Sequence, residues 1–150
     1  MITERQWRNI HKKLNNIMDR LQYLEENLPL KSKKWLKFTE CIPPANVCKE
    51  IYSMTTGINT YEGFIGKLSE YYGCKPMSLH VDKTINPKYS AIYYPNLNEA
   101  RTRTKTVGFK TVLHEFFHHL VNLKVVVVNK DEEEKYADKY ARIFMQRAGI

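Results

Sequence analysis

Apolar residues recur along the first part of the chain at alternating spacings of three and four positions. This period of about 3.5 residues predicts a single helix over residues 3–28, with one apolar seam along its length. The seam consists of Trp7, Ile10, Leu14, Ile17, Leu21, Leu24 and Leu28. Because about three heptads are marginal for an isolated coiled coil, we expect the helix to pack on the rest of the chain. A two-helix seam in a homodimer is the alternative.

Further helices and two strands follow from the periodicity of the remaining chain. Apolar positions three or four residues apart predict helices at 45–54, 60–72, 104–123 and 129–148. Asn129 and Glu132 stand in capping-box positions at the start of the last helix. Strands are predicted at 77–81 and 90–94, with an Asn-Pro-Lys turn between them and a loop, YPNLNEA, after them. This order of elements predicts one α+β domain over 1–150. The domain would contain one N-terminal helix within 1–30, further helices, a small antiparallel β-meander and two C-terminal helices.

The charge and the cysteine content narrow the class of protein only slightly. Lys plus Arg number 24 against 16 Asp plus Glu, a net charge of +8, and the charges are spread along the chain. A lysine-rich soluble surface is therefore favoured, while nucleic-acid binding through the RTRTK run at 101–105 and the lysines of 31–37 stays an alternative. The three cysteines do not indicate a secreted disulfide framework, although Cys41 and Cys48 are close enough in sequence to bridge.

Two features bear on the location of the protein. The N-terminus is charged and lacks the apolar centre of a signal peptide. The longest fully apolar run, at 125–128, is far too short to span a bilayer. The sequence therefore predicts a cytoplasmic protein without a membrane partner.

The stretch VLHEFFHHL carries the most distinctive chemistry in the sequence. His114 and His118 lie four residues apart, on one face of the predicted helix, where two imidazoles can bind one tetrahedral zinc ion. Glu115 follows the first histidine and can take a proton from a zinc-bound water, whose pKa the metal lowers toward about 7. The other residues of this stretch are mostly apolar, and burial of the polar groups is costly unless they are paired or bind a metal. A buried helix with two hydrogen-bonded histidines is the alternative.

A catalytic zinc needs a third protein ligand, and the last helix offers one. Glu134 and Asp138 lie one turn apart there, and the small residues Ala137 and Ala141 would let this helix approach the histidine helix closely. We expect Glu134 to reach the metal, and Asp138 to accept a hydrogen bond from the far nitrogen of a liganding histidine. The favourable position of carboxylates at a helix N-terminus explains the acidic residues just before, Asp131, Glu132 and Glu133.

The motif HEFFH followed by EKYADKYA resembles the zinc metallopeptidases called gluzincins, most closely the minigluzincins and the ImmA/IrrE-type peptidases. The resemblance covers residues 90–150 and implies a minimal zincin-like core over 75–150. It implies that zinc binds His114, His118 and Glu134. By the same resemblance, Glu115 is the general base and acid, and Asp138 orients a ligand. The strand at 90–94 would be the edge strand on which an extended peptide substrate lies.

Other side chains near the motif have less defined roles. Phe117 stands where these families often have a small residue, so it would narrow the cleft. Candidates for oxyanion stabilisation or substrate contact are, by position, Tyr93, Tyr94, Arg101 and Arg103. His119 points about 100° away from His118, so we expect it at the rim of the site or behind the ligands.

The motifs together predict a zinc-dependent metalloendopeptidase that cleaves peptide or protein substrates. A latent form, in which a segment such as the N-terminal helix closes the cleft, is compatible with the same residues. The alternatives are a catalytically inactive zinc-binding protein and a DNA-associated regulatory protein on the same scaffold.

Overall fold

The computed structural model of the protein describes residues 3–27, 33–55 and 60–150. The chain divides into two compact units, Met1–Lys31 and Ser32–Ile150, and each is described by itself. No helix in these described ranges is both long and apolar enough to cross a bilayer.

The first unit contains one helix, α1 (Glu4–Asn27), which confirms the predicted helix over these residues. A reciprocal pair of hydrogen bonds caps its start: Gln6 N–H donates to the Thr3 hydroxyl (3.2 Å), and Thr3 N–H donates to the Gln6 side chain (2.9 Å). The described side chains of its apolar seam, Trp7, Ile10, Leu14 and Ile17, are exposed. Leu28 lies outside the described residues, and packing of the seam on the rest of the chain or on a second copy stays a prediction.

The second unit is an α+β structure, which confirms the predicted class. Its helices are α2 (Phe38–Cys41), α3 (Ala45–Ser53), α4 (Thr60–Tyr72), α5 (Phe109–Asn122) and α6 (Glu133–Ala148). Its strands are β1 (Ser78–Val81), β2 (Ala91–Tyr94) and β3 (Glu99–Thr102). Two short 3-10 turns, Pro95–Leu97 and Lys130–Glu132, precede β3 and α6.

The predicted antiparallel meander is wrong, because the sheet is mixed and has the order β1-β3-β2. The segment that the sequence assigned to a loop contains β3, which pairs antiparallel with β2 and parallel with β1. The chain reverses between β2 and β3 at Asn98, whose left-handed backbone (φ 48°) follows the first 3-10 turn. β3 is short and alternates polar residues with buried Ala100 and Thr102, so its hydrophobic signal in the sequence is weak.

The core packs α5 against α6 and against the inner face of the sheet. Ala137 and Ala141 are fully buried on α6, next to the large side chains of Phe116, Phe117, Tyr140 and Phe144. Small side chains at these two positions allow the close approach of α5 and α6 that the sequence suggested. Within the core, the Tyr140 hydroxyl donates to the Tyr72 hydroxyl (2.9 Å), which donates to the Cys41 carbonyl (2.5 Å).

Two local predictions need correction, and the state of Cys41 and Cys48, which the sequence left open, is resolved. α5 begins at Phe109 instead of residue 104, because residues 103–106 form bends and a turn and Gly108 has an extended backbone. The capping box at Asn129 does not form; the Asn129 carbonyl accepts the Glu132 N–H (2.9 Å) in a 3-10 turn, and α6 starts at Glu133. Cys41 and Cys48 are buried free thiols, so the bridge that the sequence left open is absent from this described region.

Candidate metal centre

Two histidines of α5 present their ring nitrogens to one point at the surface of the second unit. His114 and His118 lie one turn apart, with ring centroids separated by 5.0 Å and Nε2 atoms by 3.3 Å. The apolar faces of the same helix are fixed in the core through Leu113, Phe116 and Leu120, which are fully buried. The remaining face of α5, with both imidazoles on it, is therefore turned toward α6 and β2.

Helix α6 adds a carboxylate to this pair. The two Glu134 oxygens lie 3.0 Å from His114 Nε2 and 2.9 Å from His118 Nε2. Among the described residues no other three potential ligands come this close, and the three donor atoms lie within 4.8 Å of one another. Tetrahedral coordination with bonds of about 2.0–2.1 Å separates ligand atoms by about 3.3–3.4 Å. The residues present therefore fit one zinc ion with small adjustments of the Glu134 side chain.

The far nitrogens of both histidines face carboxylates. His114 Nδ1 lies 2.8 Å from Asp138 Oδ1, and His118 Nδ1 makes a short hydrogen bond to Glu133 Oε2. A carboxylate can only accept, so each Nδ1 carries a proton. A metal ion placed between Glu134 and the two Nε2 atoms would then take the lone pair of each Nε2. The sequence associated Asp138 with a histidine, whereas it explained Glu133 by the helix dipole and missed this contact.

The contact between Glu133 and His118 follows from the antiparallel arrangement of α5 and α6. Four residues forward on α5, from His114 to His118, correspond to four residues back on α6, from Asp138 to Glu134. Glu133 is next to Glu134 in the first turn of α6, so it also lies opposite His118. The correspondence requires that the two helices are known to pack antiparallel, which is a tertiary fact.

Glu115 lies beside the three potential ligands and is only 7% exposed. Burial raises the pKa of its carboxyl from 4.5 to about 7; the nearby His114 opposes this shift and Glu134 adds to it. A carboxyl group with this pKa can exchange a proton near neutral pH. The geometry therefore combines three potential ligands with one buried acid-base group.

These residues form the floor of an open cleft of about 820 Å³. Strand β2 forms one wall, through Ala91, Ile92 and Tyr93, and the end of α5 and the start of α6 form the other. The Arg103 N–H donates to the Ser90 carbonyl (3.0 Å), and antiparallel pairing then alternates along β2. The backbone N–H and C=O groups of Ala91 and Tyr93 consequently point away from β3, toward the free edge of the sheet.

Phe117 does not narrow this cleft, contrary to the expectation. Its side chain is fully buried and packs on Phe38 and Tyr140, with ring centroids at 6.1 and 5.4 Å. The reason is the helical periodicity, which turns Phe117 away from His118 and into the interface with α6.

His119 is fully buried instead of lying at a rim. Its Nδ1 lies 2.7 Å from the Tyr93 hydroxyl, and its Nε2 lies 2.6 Å from the Lys75 carbonyl. Burial lowers the pKa of this imidazole, which favours the neutral ring. His119 thus joins α5 to β2 and to the segment before β1, on the side of α5 away from the potential ligands.

The structure brings only one of the four candidates for oxyanion or substrate contact to the cleft, namely Tyr93. The Arg101 guanidinium donates to Glu99 (2.7 Å) and lies over the Tyr94 ring (4.7 Å), away from the cleft. Arg103 is exposed next to the Pro87 carbonyl (3.5 Å), outside the cleft wall. Tyr89, which the sequence reasoning did not select, lines the cleft and is 46% exposed.

Comparison of the chain with protein-family models, with curated proteins and with solved structures finds no match.

Proposed function

We propose that this protein is a zinc-dependent metalloendopeptidase of the gluzincin kind. The observation that carries the proposal is the convergence of His114, His118 and Glu134 at the spacing of one coordination sphere, with Glu115 beside them in an open cleft. A hydrogen-bonded cluster alone would not need an open cleft with a buried acid-base group in its floor.

The chain's own residues would divide the work of hydrolysis. His114, His118 and Glu134 would hold a zinc ion, which would supply Lewis acidity toward a water molecule and the peptide carbonyl. Glu115 accepts the proton of the attacking water and delivers it to the amine that leaves. Asp138 and Glu133 hold the two imidazoles in the tautomer that leaves Nε2 free for the metal.

The free edge of β2 supports a peptide as the substrate. The backbone groups of Ala91 and Tyr93 point to that edge, and within the described part of the chain no other backbone group bonds them. An extended peptide can pair with these groups as an added strand along this wall of the cleft. Such pairing recognises the main chain, so it holds peptides of different sequence.

The experiment compares wild type with Glu115→Gln after purification without chelator. We expect about one zinc per chain in both proteins, and cleavage of a peptide library by wild type that falls by at least about 100-fold in the variant. Glu132→Gln is the matched control, because Glu132 is an exposed carboxylate outside the cleft. A wild-type protein without bound zinc, or equal cleavage by wild type and Glu115→Gln, would contradict the proposal.

A catalytically inactive zinc-binding protein is the second candidate. It is favoured by one observation: the Tyr93 hydroxyl, the one selected oxyanion candidate in the cleft, bonds His119. One equivalent of zinc without turnover would support this candidate. Turnover that appears only after removal of residues 1–31 would instead indicate a latent enzyme.

DNA association stays a prediction, which a salt-sensitive gel shift would test.

A further inference from the structure

A chain of hydrogen bonds crosses from α5 to the strand that lines the cleft. The Lys75 carbonyl can only accept, so His119 Nε2 carries the ring proton and donates it across 2.6 Å. The neutral ring then accepts at Nδ1, and the Tyr93 hydroxyl donates its proton to that nitrogen across 2.7 Å. The hydroxyl proton of Tyr93 is thereby committed to His119 and is not directed at a reacting carbonyl.

Asn122 holds the same hydroxyl from its other side. Its amide Nδ2 lies 3.1 Å from the Tyr93 oxygen, 3.0 Å from the Pro95 carbonyl and 3.0 Å from Asn98 Oδ1. One amide group of α5 therefore contacts both the end of β2 and the turn that leads to β3. Asn122 follows His119 by three residues, so both side chains lie on the face of α5 that packs under β2.

We propose that His119 and Asn122 are positioning residues that hold Tyr93, and with it the free edge of β2, at a fixed height above the metal centre. This inference rests on the proposed peptidase function. The network sets how an extended peptide is held along β2 and takes no part in proton transfer. β2 is four residues long and pairs with a strand on one side only, so the sheet does not hold its other edge.

The length of the substrate separates positioning from chemistry. A long peptide that pairs with β2 depends on the position of Ala91 and Tyr93 at several of its residues. A short peptide, with one residue on each side of the scissile bond, depends mainly on the metal centre and Glu115. Displacement of β2 should therefore weaken the binding of the long peptide and leave the cleavage of the short peptide nearly unchanged.

The test uses the zinc-loaded full chain with Tyr93→Phe and Asn122→Ala. For the long peptide we expect KM to rise about tenfold in each variant, because both remove hydrogen bonds that hold Tyr93, with kcat within about twofold of wild type. For the short peptide we expect kcat/KM within about twofold, and zinc stoichiometry should stay at the wild-type value. The matched control is Tyr140→Phe, which removes a buried hydroxyl of α6 that bonds Tyr72 and lies outside the cleft.

A binding measurement makes the result independent of turnover. Glu115→Gln and the double variant Glu115→Gln/Tyr93→Phe are titrated with the long peptide, and we expect about tenfold weaker binding in the double variant. Zinc-loaded wild type that cleaves neither peptide would contradict the proposed function, while this titration would still decide the positioning role. Equal affinities, or peptide binding to neither protein, would overturn that role.

In the kinetic test, an equal fall of kcat for both peptides would identify the Tyr93 hydroxyl as a proton donor. The same length dependence in Tyr140→Phe would indicate a general loss of stability. Both results would also overturn the positioning role.

Discussion

Glu133→Gln removes the negative charge that faces His118 Nδ1 and keeps a side chain of the same length. Glutamine can still accept the Nδ1 proton, but a neutral acceptor holds it less strongly than a carboxylate does. Loss of such a partner typically weakens metal binding by about 10–100-fold. The Glu133 side chain retains 26% of its exposure, so water screens part of its charge. We therefore expect zinc affinity to fall by about tenfold, or about 1.4 kcal/mol.

The assay is a competition titration of zinc against a chromophoric chelator at constant ionic strength. Glu132→Gln removes the same formal charge one residue earlier, where the side chain is exposed and makes no contact with His118 within the described residues. We expect its zinc affinity to stay within about twofold of wild type. Equal weakening in the two variants would mean that the overall charge of this region matters and the contact does not. Unchanged affinity in Glu133→Gln would refute the argument for an oriented imidazole.

Two further predictions concern stability. Ala137 is fully buried between α5 and α6, so Ala137→Leu should lower the free energy of unfolding by about 1–3 kcal/mol and weaken zinc binding. Urea unfolding and a zinc titration measure the two effects. The control Ala45→Leu, at an exposed position, should change neither quantity. In the zinc-free protein, burial raises the pKa of the Glu115 carboxyl from its ordinary value of 4.5, which applies to the unfolded chain, to about 7 in the folded state. The contribution of this group to the stability of the fold is therefore complete below pH 4.5 and is lost as the pH rises through 7. The free energy of unfolding of wild type relative to Glu115→Gln should therefore fall by about 3 kcal/mol between pH 4.5 and 8 in chelator, and a pH-independent difference would contradict this.

The resemblance to gluzincins stays part of the proposal, because it rests on the motif residues and on the arrangement of the site. The structure adds two features to that motif. Glu133 gives the second histidine a carboxylate partner, and the network of His119 links α5 to the edge strand β2. Each feature has a measurable consequence that does not depend on knowledge of the natural substrate.

Some of the site could be predicted because it depends on local geometry. Residues four apart in a helix share a face whatever surrounds the helix, so the pairing of His114 with His118 follows from the spacing alone. The turn at which α6 ends is local too, because Gly149 adopts a left-handed backbone (φ 80°) that the residue tolerates without strain. These features need only hydrogen bonds within a few residues of the chain.

Other features could not be predicted, because they depend on which elements meet. β3 is stabilised by strands on both of its sides, and its own four residues carry too little hydrophobic signal to reveal it. Phe117 and His119 are neighbours of the motif, yet one packs on Phe38 and the other bonds the Lys75 carbonyl. Both partners are distant in sequence, so no local pattern selects them.

The sequence by itself determined a helix that presents His114, Glu115 and His118, and a second helix with carboxylates one turn apart. It also predicted Glu134 near the histidines and Asp138 at a far histidine nitrogen. Tertiary structure alone decided that Glu134 meets both Nε2 atoms, that Asp138 meets His114, and that Glu133 meets His118. The physical reason is that helical periodicity is fixed by bonds within four residues, whereas the approach and register of α5 and α6 come from burial of apolar side chains far apart in the chain.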